Sequence, residues 1–120
     1  MRKLFLPLIA ALALAAVAFP AAALGAPPGN DDFGNAAPIS SLPFSDSQTI
    51  DEATTESGEP QYCYYDSQSV WYAITPSSDT AVAVDPSGSN YYDTTINVYR
   101  QDGAGFGGLN VLAAPRSATP

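Results

Sequence analysis

Residues 69–85 read SVWYAITPSSDTAVAVD, two alternating runs that meet across a short break. In the first run Val70, Tyr72 and Ile74 share one face, and Trp71, Ala73 and Thr75 share the other. In the second, Val82 and Val84 point one way and the small Ala81 and Ala83 the other. A period of two in β-branched and aromatic residues predicts strands over 69–75 and 80–85. Pro76 ends the first, and Ser77, Ser78 and Asp79 make the turn.

The same pattern continues outward. TTINVYR, 94–100, sets Ile96 and Val98 against Thr95, Asn97 and Tyr99, and LNVLAA, 109–114, is a final apolar strand after the glycine-rich QDGAGFGG. Weaker strand signals lie at 37–42 and 44–51, and ATTESGEP, 53–60, is a loop with Gly58 and Pro60 as breakers. APPGNDDFGNA, 26–36, reads as a linker and one short helical turn, with Asn30, Asp31 and Asp32 as caps and Phe33 packed beneath. Short strands about ten residues apart, split by turn residues, predict an all-β antiparallel sandwich over 37–114. Residues 115–120, RSATP after a proline, carry no pattern.

The N-terminus has a different character. Arg2 and Lys3 precede an apolar run from Leu4 to Phe19, followed by small residues. This is the three-part pattern of a secretory signal peptide over 1–25, cut after Gly25 or after Ala23, and it predicts export. The run is shorter than the roughly 20 apolar residues of a membrane span, so no membrane attachment is expected after cleavage.

Charge narrows the partners. All twelve acids lie beyond residue 25, against Arg100 and Arg116 alone, which leaves the exported part near −10. That field repels nucleic acid and anionic membranes, and it also keeps an exported protein dispersed. The chain has no His, and no Lys after residue 3. The usual general base, zinc ligand, triad partner and Schiff-base amine are thereby missing. Paired-carboxylate hydrolysis is the remaining catalytic chemistry, and no spacing of the acids singles out a pair.

Three stretches invite a binding role. DPSGSNYYDT, 85–94, offers oxygens from Asp85, Ser87, Ser89, Asn90 and Asp93, but not in the spacing of a calcium loop. A turn shaped by Pro86 and Gly88 needs less. Tyr62, Tyr64, Tyr65, Tyr91 and Tyr92 are candidate ligand-binding rings, and equally suited to cover the ends of a sandwich core. Cys63 is the single cysteine, odd for an exported chain, where cysteines pair.

Taken in order, GNDDFGNAAPI, ATTESGEP, Cys63, SVWYAITP, VDPSGSNYYDTTINVY and GLNVLAA resemble the bacterial pre-peptidase C-terminal domain family, over residues 29 to about 113. The resemblance implies a jelly-roll-like sandwich and a secreted, bacterial, non-catalytic module that attaches to polymeric substrates, cell surfaces or a parent protein. It requires no cofactor. Collagen-binding relatives carry calcium, which here points to Asn30 and Asp31, with Glu56, Glu59 and Asp66 closing on the same place. The family pattern goes on with an acidic segment bearing a second Cys and about two more strands, where this chain reads LAAPRSATP. The resemblance therefore implies a truncated module in which the partner of Cys63 is missing.

The expectation from sequence is thus an exported, non-catalytic binding module. The alternatives are an assembly subunit that completes its sheet with a partner strand, and a carboxylate-based hydrolase. Open edges and the absent disulfide predict marginal stability or self-association.

Overall fold

The computed structural model describes residues 25–62, 67–90 and 94–114. Their regular structure is β-strand with two single turns of 3-10 helix, so the chain belongs to the all-β class. The strands are β1 (Ala37–Ile39), β2 (Tyr72–Ile74), β3 (Val98–Gln101) and β4 (Leu109–Ala113). They form two separate ladders, β1 with β2 and β3 with β4.

The β1–β2 pair runs parallel, with Ala37 opposite Tyr72 and Ile39 opposite Ile74. This corrects the all-antiparallel expectation. The direction is set before β1 begins. The backbone of Trp71 donates to the Asn30 carbonyl at 2.9 Å, and the Ala37 N–H donates to the Trp71 carbonyl at 2.9 Å. Two successive bonds to one residue lay the incoming chain alongside β2 in the same sense. Pro38 faces away from β2 in this register, where its lack of an N–H costs nothing.

The β3–β4 pair is an antiparallel hairpin, with Tyr99 opposite Val111 and Gln101 opposite Leu109. The register slips between Val98 and Tyr99, so Leu112 is an extra residue on β4 and the ladder bulges there. The loop closes tightly. Asp102 N–H donates to the Gly108 carbonyl at 2.8 Å. A Cβ on Gly108 would lie 2.3 Å from the Gly103 carbonyl oxygen, so only glycine lets the two backbones approach. Gly105 adopts φ +60°, which glycine supplies without strain.

The second expected strand signal at 44–51 and the run at 80–85 enter no ladder among the described residues. Their alternation is real, but a ladder also needs a neighbouring edge at about 4.8 Å. Residues 44–51 are held to β2 through side chains instead, as described below.

The packed centre is aromatic. Trp71 meets Phe33 at 5.0 Å between ring centroids, edge to face, and Phe106 at 5.8 Å and Tyr99 at 6.0 Å. Phe33 and Phe106 also touch, at 5.2 Å. Trp71, half-buried and just ahead of β2, is the point where the two ladders meet.

Candidate binding site

The most enclosed residues lie in a knot beside Trp71. Asn30 is 4 % exposed, Asp31 8 % and Ala53 6 %. Two of the three are polar, and burial of such groups requires hydrogen bonds. The Asn30 amide nitrogen donates to the Trp71 carbonyl at 2.8 Å. The Asp31 carboxylate accepts from the Thr54 N–H at 2.6 Å and from the Thr54 hydroxyl at 2.8 Å. Residues 30 and 31 are therefore built into the module.

The expected local cap is replaced by a distant one. Asp32 stands at the start of the 3-10 turn Phe33–Asn35 but makes no side-chain capping bond. The Phe33 N–H instead donates to the Glu56 carboxylate at 2.6 Å. Glu59 accepts from the Glu56 N–H at 2.9 Å. The structure thus gathers Asn30, Asp31, Glu56 and Glu59 around one loop, but aims their acceptors at N–H and O–H groups. Among the described residues no group of three or more His, Cys, Asp or Glu side chains converges. Asp66 lies outside the described residues, as do Cys63, Tyr64, Tyr65, Tyr91 and Tyr92.

The loop at 85–90 follows the turn reading. The Asp85 carboxylate accepts from the Ser87 N–H at 2.8 Å, and the Ser89 N–H closes on the Pro86 carbonyl at 2.8 Å. The Ser87 contacts hold the Asp85 carboxyl below its usual range. Tyr62 packs its ring 6.1 Å from that of Tyr99 and keeps 42 % of its surface exposed.

A broad trough of about 2530 Å³ lies among the described residues, beside a smaller pocket of about 330 Å³ at 39–42 and 74–80. The trough is bordered by four continuous runs, 44–51, 68–80, 82–90 and 94–101. Phe44, Ile74, Val82, Val84 and Leu112 are exposed along it. The alternation of Ile74, Val82 and Val84 in the sequence gives each a strand face but no binding role; among the described residues these faces stay uncovered.

One polar network crosses the trough wall. The Tyr72 hydroxyl donates to Asp46 at 2.7 Å. The Gln48 amide donates to Asp46 at 3.2 Å and to the Tyr72 oxygen at 2.9 Å. The Phe44 ring lies 6.0 Å from that of Tyr72, edge to face. The Tyr72 hydroxyl bond holds the Asp46 carboxyl below its ordinary range. Desolvation, and then the bond to Asp46, push the Tyr72 phenol up. A depressed carboxyl and a raised phenol are poorly matched to acid–base work near neutrality. Their arrangement fastens residues 44–48 to β2.

Comparison with known protein families, curated proteins and solved structures found no match to this chain.

Proposed function

We propose that this chain is an exported, non-catalytic attachment module, a sandwich of the jelly-roll kind, that holds a chain-like ligand rather than a small molecule. The trough carries the reading. At about 2530 Å³ it exceeds the roughly 300–1,000 Å³ of a small-molecule pocket, and extended segments border it along their length. Supporting this, Asp31, Glu56, Glu59, Asp46 and Asp85 all spend carboxylate oxygens on backbone or hydroxyl hydrogens. A hydrolase would need two of them aimed at a common point. The order of motifs along residues 29–113 supports the same reading through its resemblance to pre-peptidase C-terminal modules.

Co-sedimentation with insoluble cellulose, chitin, peptidoglycan and collagen tests it. Retention on at least one, without release of soluble product, is the expected result. No retention on any of them, or turnover of a polymer, overturns it.

A further inference from the structure

The two edges of the β1–β2 ladder differ. The outer edge of β1 presents Pro38, which has no N–H to offer and blunts the edge. The far edge of β2 has no strand against it among the described residues. In the parallel register Trp71 and Ala73 direct their peptide groups to β1, so Tyr72 and Ile74 direct theirs away from it. Tyr72 and Ile74 themselves border the trough, which sets this edge beside it.

An unpaired edge beside exposed apolar side chains is the geometry by which an extended peptide adds to a sheet. Its charge selects the peptide. Asp46, Asp51, Glu59, Asp79 and Asp85 border the trough, against the single base Arg100. Arg100 is itself clasped by Asp102, with Nε and Nη2 at 2.9 and 2.7 Å from the carboxylate. A second copy of a chain with a net charge of −8 would bring like charge to an acidic rim, which opposes association.

We propose that the trough binds an extended basic–apolar polypeptide segment of another protein, which pairs with the edge of β2 at Tyr72 and Ile74. Its apolar residues cover Ile74, Val82 and Val84, and its alternate Lys or Arg side chains meet the acidic rim. This rests on reading the chain as an attachment module and names the ligand of that same site.

The test uses protein expressed from the full chain and two short probe peptides, one alternating valine with lysine and one alternating valine with glutamate. Fluorescence anisotropy is expected to show saturable binding of the lysine peptide alone, weakening as salt rises. Ile74→Pro, which deletes an outward N–H, is expected to abolish it while leaving Trp71 emission unchanged. Val84→Lys at this exposed position is expected to weaken it about tenfold and Val84→Glu to preserve it, because only the lysine repels the probe. Equal binding of both peptides, or binding indifferent to both the Ile74 and Val84 changes, overturns the proposal. Retention on a polysaccharide without peptide binding overturns it and leaves the attachment reading standing. Concentration-dependent dimers that exclude the lysine peptide also overturn it, by giving the trough to a second copy.

Discussion

Asp31 and Thr54, 23 positions apart, share two hydrogen bonds through a single carboxylate, to the N–H at 2.6 Å and to the hydroxyl at 2.8 Å. Asp31 is nearly enclosed while Thr54 is exposed, so both bonds are partly shielded from water. Bonds to a charged acceptor contribute about 1.5–3 kcal/mol each, and their partners are costly to strand. Asp31→Ala is expected to destabilise the chain by about 3 kcal/mol, enough to unfold a marginal domain. Thr54→Ser, which keeps the hydroxyl, is expected to cost under about 1 kcal/mol. Urea denaturation followed by fluorescence checks both, and equal midpoints for Asp31→Ala and the parent chain would remove the knot from its structural role.

Trp71 is the only tryptophan, so its emission reports on the aromatic centre alone. Trp71→Phe keeps a ring against Phe33, Phe106 and Tyr99, and also deletes an indole N–H that is shielded without a hydrogen-bond partner. Phe33→Ala removes the face-to-edge contact at 5.0 Å. We expect Phe33→Ala to cost about 3 kcal/mol and to shift Trp71 emission to the red. Trp71→Phe is expected to cost about half as much, measured by circular dichroism.

The hairpin loop gives a sharper steric test. Gly108→Ala would place its methyl at 2.3 Å from the Gly103 carbonyl, so β3 and β4 must part. Gly105→Ala meets no atom within 4 Å but must hold φ +60°, at about 1 kcal/mol. The expected ranking of melting temperatures is parent, then Gly105→Ala, then Gly108→Ala. A reversed order would mean that the close approach of Gly103 and Gly108 does not exist in solution.

The pH dependence follows from three exposed carboxyls and one phenol. Asp46, Asp85 and Asp102 are held below their ordinary 3.8 by Tyr72, Ser87 and Arg100 respectively. A depressed folded value favours the folded state above pH 3.8, and that contribution is lost as the pH falls through the folded values. Tyr72 is raised from 10.0, so its contribution is present below pH 10 and lost above it. A melting temperature that stays level between about pH 5 and 9 and declines on both sides is the expected profile. Added salt is expected to raise it at pH 7, because screening relieves a net charge of −8.

Millimolar calcium is expected to leave the melting temperature in place, since Asp31 already gives both oxygens to Thr54. An upward shift that Asp31→Ala abolishes would restore the ion to the Asn30–Asp31 knot.

The all-β class was legible because period-two alternation survives whatever a strand packs against. β2, β3 and β4 fall inside the runs at 69–75, 94–100 and 109–114, save that β3 reaches Gln101. The pairing was not legible. A parallel β1–β2 ladder depends on Asn30 and Ala37 both bonding to Trp71, contacts 41 and 34 positions apart that leave no local trace. The same holds for the Glu56 cap on Phe33: Asn30, Asp31 and Asp32 are good caps by residue type, yet a remote carboxylate took the N–H. The trough was hidden for a related reason. Val82 and Val84 show by alternation that they want cover, and alternation says nothing about whether cover arrives.

The bond from Asn30 to Trp71 spans 41 positions, and this has a kinetic meaning for a chain delivered N-terminus first. Residues 30–39 emerge early, yet their long-range partners come later, Thr54 and Glu56 first, then Trp71 to Ile74, and Phe106 last. Until Trp71 arrives, the buried amide of Asn30 and the strand of Ala37–Ile39 have nothing to bind. Closing so long a loop before any reward makes folding slow, and the nascent chain must stay open through more than half its length before its first residues find their place.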